Sequence, residues 1–263
     1  MLHKNNLLQA KTLTSFILLI NFILFTSCTQ RNRSQVEIPD EKNPKIAISE
    51  KLNTLTQQEI QEGWKLLFDG KTTEEWKSAA SDTFPETGWE IKNGTLTVLG
   101  TGGGSIVTRQ TFSDFDLKLE FRLTKGANSG IKYVVKYYPA KDGKSSPLGL
   151  EYQLLDDKNH PDGVHQTHTH ASLYDLIVAT NRKINPPGEW NKARIVVQGN
   201  HIEHWLNGVK VVEYERGSEE FHELVANSKY KNYENFGEHK EGYILLQDHG
   251  NKVSFRNIKI KEL

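Results

Sequence analysis

The chain has 263 residues, with 33 basic and 33 acidic side chains, and is formally neutral. That balance, without basic clusters, argues against nucleic acid as a partner. Cys28 is the only cysteine, so a disulfide framework is excluded.

Lys4 and Lys11 precede an apolar run over 13–25 that is too short to span a bilayer comfortably, and the run ends in Thr26, Ser27 and Cys28. This is the layout of a secretory signal peptide. The small residues before a lone cysteine resemble a bacterial lipobox, with Phe25 where leucine is usual. Residues 1–27 are therefore expected to be a lipoprotein signal peptide and Cys28 the lipidated residue. The protein would then stand in the periplasm or at the outer membrane, touching membrane through its lipid anchor only. Residues 28–54 are polar, charged and aperiodic, and read as a flexible tether. Thr56 and Glu59 then form a capping box flanked by a Leu55/Ile60 staple, which predicts a short helix from Gln57 to about Gly63.

The remainder of the expected domain, 55–263, is a succession of short alternating runs broken by turns, predicting strands at 64–68, 89–91, 95–99, 105–108, 115–123, 130–137, 149–154, 193–198, 201–206, 209–214, 242–248 and 253–261. The fold class this implies is an all-β sandwich. Over 115–123 every second residue is apolar, one face for the core and one for water. Asn93-Gly94 and Asn207-Gly208 each join two such runs, the strongest short hairpin signal. Gly102, Gly103 and Gly104 lie between strands and read as a turn, since no helix follows to receive a phosphate. The long segment 217–241 is charged and aromatic, with a short helix expected over 218–228.

The densest polar chemistry lies at 148–177. Alternation sets Glu151 and Gln153 on one strand face and Leu150, Tyr152 and Leu154 on the other. A run of turn formers from Asp156 through His160 to Gly163 then takes the chain off the sheet, onto a rim where function is common. His165, His168 and His170 follow. They suit a divalent metal by residue type but match no zinc spacing, so a solvated polar loop is the competing reading.

Several stretches carry a resemblance: Trp64 to Gly70 followed by Trp76, Asn128-Ser129-Gly130-Ile131, Leu173-Tyr174-Asp175-Leu176, Glu189-Trp190-Asn191, Ile202 through Gly208, Ile244 through Gly250, and Phe255-Arg256-Asn257-Ile258. In this order they resemble the 3-keto-disaccharide hydrolase domain family. The resemblance implies a concanavalin A-like jelly roll of two antiparallel sheets whose concave face binds sugar. It also implies substrates already oxidised at C3 by an upstream 3-dehydrogenase: an oxidised oligosaccharide or glycoside. Carried onto this chain, it marks Glu151, His160, Tyr174, Asp175 and His249 as catalytic candidates. Gln153, Asp156, His204, Trp205, Gln247 and Arg256 are the substrate-binding candidates.

A keto group at C3 acidifies the C2 proton, so a base can remove it, the enolate can expel the C1 substituent, and water can add to the enone. His160 or His249 is a candidate base, and Glu151 or Asp175 can orient it or act as acid. Arg256, Tyr174 or a bound divalent metal, the one cofactor considered, can hold the enolate. Two rivals remain open. A retaining glycosidase needs a second acid near Glu151, where Gln153 stands instead. A non-catalytic sugar-binding module would use Trp76, Trp89, Trp190 and Trp205 as platforms. His204 is undecided by parity: exposed if Trp205 faces the core, a buried hydrogen-bonded histidine if it does not.

Overall fold

The computed structural model describes residues 51–139 and 145–263. The calls on the signal peptide, on Cys28 and on most of the tether lie outside them. At the tether's far end, Asn53 belongs to the fold: it is buried, exchanges two backbone-to-side-chain hydrogen bonds with Asn257, and donates to the Gly94 carbonyl.

The capping box forms as expected. Thr56 and Glu59 satisfy each other's backbone N–H groups at the start of α1, Gln57–Gln61. The strands are β1 Lys65–Leu66, β2 Trp76–Ser78, β3 Trp89–Lys92, β4 Thr95–Val98, β5 Ile106–Thr108, β6 Phe115–Leu123, β7 Asn128–Pro139, β8 Ser145–Leu155, β9 Asn191–Gln198, β10 His201–Leu206, β11 Val209–Glu215, β12 Tyr243–Leu246 and β13 Val253–Glu262, with α2 at Glu219–Ala226. Only β2 lies outside the expected runs. It is three residues long and follows a turn, too short for alternation to register.

Every pairing is antiparallel. One sheet runs β11-β10-β9-β6-β13-β4-β3, with β1 also on β13, and the other runs β2-β5-β12-β7-β8. The result is a jelly-roll sandwich. Both Asn-Gly hairpins close with positive φ at both central residues, 51° and 69° at Asn93 and Gly94 and 48° and 82° at Asn207 and Gly208.

The core lies between the sheets. Phe115, Leu117, Leu119 and Phe121 of β6, Ile195 of β9, and Phe255 and Ile260 of β13 meet Trp76, Ile106, Ile131, Tyr133, Leu150, Tyr152 and Leu246 from the smaller sheet. Buried apolar area of this kind stabilises at roughly 25 cal/mol per Å².

The far face of the smaller sheet divides in two. Val107, Val135 and Leu245 form a small apolar cluster with Ala79 and Tyr243, while the other half is polar. The division falls at a bulge in β7, where the register shifts between Tyr133 and Lys136 and Val134 takes φ 52°. A β-branched residue there is strained, and a bulge re-aims a strand. Gly149 faces it, since a Cβ at 149 would meet the Tyr133 carbonyl at 2.5 Å.

Candidate active site

The polar half of that face is built by strand register. Lys132 on β7 stands opposite Leu245 of β12 on one side and Glu151 of β8 on the other. One row over, Gly130 faces Gln153, and its carbonyl accepts the Gln247 N–H. The free edge of β8 is extended by residues 171–174: Ala171 donates to the Gln153 carbonyl, Gln153 to the Ser172 carbonyl and Tyr174 to the Glu151 carbonyl. Period two then puts Lys132, Glu151, Gln153 and Tyr174 on one face.

Glu151 is 4% exposed and pairs with Lys132 at 3.4 Å. Its side chain lies across Gly130, where a Cβ would stand 2.2 Å from Oε1. Gln153 is 1% exposed; its amide nitrogen reaches Asn128 at 3.4 Å, and its Oε1, like Oε1 of Gln247, is buried without a partner. A buried acceptor left unpaired costs about 1–3 kcal/mol. Two of them on this side of the sheet leave its polar half with acceptors that the described residues do not satisfy.

Residues 156–175 wall the site. His168 Nδ1 meets Asp162 at 2.8 Å and Nε2 meets Asp175 at 3.1 Å, while the ring stacks on Tyr174 with centroids 4.3 Å apart. Tyr174 donates to Asp162 at 3.3 Å. Burial and the Asp162 charge push its phenol well above the ordinary value, so it remains a donor. Asp175 sits in the left-handed region at φ 65°, and its Oδ2 accepts the Lys229 N–H. The Lys229 side chain returns over this wall, its ammonium 4.0 Å from the Tyr174 centroid and 5.1 Å from that of Tyr230.

The remaining expected residues divide. His160 is half-buried; its Nδ1 accepts the Asp162 N–H and caps the short 3₁₀ turn Pro161–Val164, which leaves Nε2 to carry the ring proton. Asp156 is a brace of the turn: its Oδ2 takes the Gly126 N–H at 2.7 Å and the Asn159 amide at 2.8 Å. Burial opposes ionisation of Asp156, but these bonds outweigh it and hold its carboxyl below the usual value. His249 is exposed two residues beyond Gln247, past the end of β12.

Three expectations of substrate contact are corrected. His204 faces the core, fully buried, with Nε2 2.7 Å from the Tyr133 hydroxyl and Nδ1 3.1 Å from the Ala171 carbonyl. Burial lowers its pKa to about 4. Trp205 and Arg256 lie on the larger sheet. Trp205 donates to Glu203 beneath Arg194, and Arg256 binds Glu120 at 2.7 Å while covering Trp190 at 4.0 Å.

The metal reading of the three loop histidines is also corrected. His165 is exposed, His168 has both nitrogens on carboxylates, and His170 is in the core, accepting the Leu155 N–H beside Phe121 and Tyr152. Among the described residues, the one trio close enough to share an ion is His201, Glu203 and Glu213, far from this face, and Lys210 already pairs with both glutamates.

The rival architectures fare poorly. No free carboxylate stands beside Glu151 among the described residues, because Asp162 and Asp175 are both tied to His168. Trp64, Trp76 and Trp89 are buried, and Trp190 and Trp205 are covered by cations, so among the described residues no row of free indoles is presented. A crevice of about 870 Å³ elsewhere, between residues 176–178, β11 and α2, has no lysine or histidine in its lining.

Lys132, Asp162 and Lys229 are not among the site residues the sequence marks, and His168 is weighed there only as a metal ligand. Lys132 had a usable signal, since it shares the parity of Gly130 in β7; Lys229 had none.

Residues 63–261 match the family model described as the 3-keto-alpha-glucoside-1,2-lyase-like domain. The chain belongs to this family. It is 35% identical over 230 residues to the 3-keto-disaccharide hydrolase of Bacteroides thetaiotaomicron, covering 77% of this chain and 79% of the relative. A Parabacteroides distasonis protein provisionally described as a glycosyl hydrolase superposes with a TM-score of 0.74 at 33% identity, over 81% of this chain and all of that one. A second from the same organism gives 0.57 at 29%, over 76% and 99%. The protein is therefore an enzyme of a glycoside-cleaving family.

Proposed function

We propose that this enzyme cleaves 3-keto-glycosides by removing the C2 proton, eliminating the C1 substituent and hydrating the enone. The relative's name supports the substrate class. The observation that carries the chemistry is the convergence of Glu151, Lys132, Tyr174 and two unpaired amide oxygens on one polar sheet face.

In this reading the C2–H lies over Glu151, whose carboxylate takes the proton. Gln153 and Gln247 accept sugar hydroxyls and fix the ring, and this positioning is the main gain over solution. His160 hydrogen-bonds the departing oxygen through its Nε2–H, that oxygen leaves with the proton Glu151 has taken from C2, and His249 at the rim is the second donor to test. The Asp162–His168–Asp175 bridge holds the Tyr174 wall rigid. The keto compound would come from a 3-dehydrogenase, and the lipidated Cys28 would keep the domain outside the cytoplasm.

The test is aglycone release from a 3-keto-glucoside and from its unoxidised parent. Release from the keto compound alone, abolished in Glu151→Gln and reduced at least tenfold in His160→Ala, supports the reading. Equal release from both compounds would replace it with ordinary glycoside hydrolysis.

A further inference from the structure

Resting on the elimination reading, a further catalytic role is open at this site, for a group to receive the negative charge that forms on the C3 oxygen when C2 is deprotonated. Arg256 does not reach the face. Lys132 does, but it is engaged with Glu151 at 3.4 Å. We propose that Lys229 is the electrophilic catalyst, its ammonium binding the C3 keto oxygen and holding the enolate charge until the aglycone leaves.

Four observations carry this. Lys229 is fixed at its backbone by Asp175, through a 2.9 Å hydrogen bond to a residue that is itself tied to His168. Its ammonium lies over the Tyr174 and Tyr230 rings, and Tyr230 is in turn stacked on Phe236 at 3.9 Å, so cation–π contacts to a braced ring favour this position of the amine. No carboxylate lies within ion-pair distance of it among the described residues, so its three donors are not committed to a fixed anion. The residue is exposed to solvent, from which a substrate can reach it.

The charges around it are Glu151, Asp162 and Asp175 on one side of the balance and Lys132 on the other, with Tyr174 and Tyr230 alongside. Desolvation first, and then the neighbouring Lys132, draw its pKa below the ordinary lysine value, against the pull of the carboxylates. A less strongly solvated ammonium is a better partner for a developing enolate. The proton and electron movements balance without a cofactor. The C2–H pair moves into the C2–C3 bond, the carbonyl pair moves onto oxygen opposite Lys229, and the collapse of that charge expels the C1 oxygen, which leaves with the proton Glu151 has taken up.

The experiment compares the full chain with Lys229→Met, which keeps the hydrocarbon stem between the two rings, and with Lys229→Arg. Readouts are aglycone release from a 3-keto-glucoside, exchange of its C2 proton in heavy water, binding of the unoxidised parent, and the melting temperature. The expected result for Lys229→Met is a loss in kcat of roughly 10²–10³-fold, the size seen for one oxyanion donor. C2 exchange should fall in parallel, with parent binding and melting unchanged and partial recovery in Lys229→Arg. Retention of exchange and release within about threefold would overturn the assignment, as would a pure rise in KM. Cyanoborohydride reduction in the presence of substrate should leave Lys229 unmodified; a sugar adduct on it would replace charge stabilisation by a covalent imine and overturn the proposal. If the wild-type chain neither exchanges the C2 proton nor releases the aglycone, the elimination reading itself falls and this role with it.

Discussion

Replacing Gly130 by alanine separates the position of the Glu151 carboxylate from the integrity of the sheet. Gly130 does not use a positive φ, so its backbone accepts alanine, and removing a glycine from a strand favours the folded state by about 0.5–1 kcal/mol. The new methyl would stand 2.2 Å from Glu151 Oε1 and 2.9 Å from its Cδ. A carbon and an oxygen rest at roughly 3.3–3.6 Å, so the carboxylate must retreat by about 1 Å. A displacement of that size at a reacting group costs on the order of 10²-fold in rate. Aglycone release from a 3-keto-glucoside should therefore fall about a hundredfold, while the melting temperature moves by only a few degrees. Release within about twofold of wild type, with unchanged melting, would mean that Glu151 is not held in place for proton transfer and would refute the reasoning.

Three further predictions concern the surroundings. Arg256→Ala should leave cleavage within about twofold, since the residue pairs with Glu120 on the other sheet, and steady-state kinetics would expose a larger loss. His168→Ala frees Asp162 and Asp175 to repel each other and unstacks Tyr174, so kcat should fall roughly tenfold or more while far-ultraviolet circular dichroism is unchanged. His170 and His204 have folded pKa values near 3 and 4, lowered first by burial and below the unfolded 6.5, so the unfolded chain takes up protons first as pH falls. Their contribution is complete above about pH 6.5 and is lost as pH falls through about 4 for His204 and about 3 for His170, by up to about 3–5 kcal/mol each. His204→Phe should flatten the fall in urea midpoint between pH 7.5 and 5, and an unchanged slope would count against this account.

Much of the fold was legible because alternation and turn chemistry are local. Both Asn-Gly hairpins, the capping box and the split of Glu151 and Gln153 from Leu150, Tyr152 and Leu154 needed only neighbours in sequence. The site was legible only where its members are close along the chain, as Glu151, Tyr174 and Asp175 are. Which strand lies beside which, and in what register, is a long-range property, so the approach of Lys132 to Glu151 could not be read. Lys229 enters from a loop that no alternation governs. His204 was half legible: Ile202 and Leu206 share its parity and pointed inward, but three residues do not say which face of a strand is the core. Arg256 failed differently, because a family motif marks a residue as important without saying for what, and here it holds Glu120 and covers Trp190.

The two outer faces of the sandwich show why one of them is the place for chemistry. On the larger sheet, several charges are matched within the protein, Arg194 with Asp116, Arg256 with Glu120, and Lys210 with Glu203 and Glu213, and Lys118, Arg122, Arg194 and Arg256 lie over indoles. Among the described residues, the polar face of the smaller sheet has two amide oxygens unpaired, and Lys229, in the loop above it, has no carboxylate within ion-pair distance. An orphaned atom alone does not mark a site, since His170 Nε2 is also unpaired, yet it sits in the core near Phe121 and Tyr152. The smaller sheet differs because its unmatched acceptors share a face with Glu151 and lie under walls that reach solvent. There the missing partners can arrive with a ligand that brings hydroxyl donors for Gln153 and Gln247 and a carbonyl oxygen for Lys229, and a 3-keto sugar carries both.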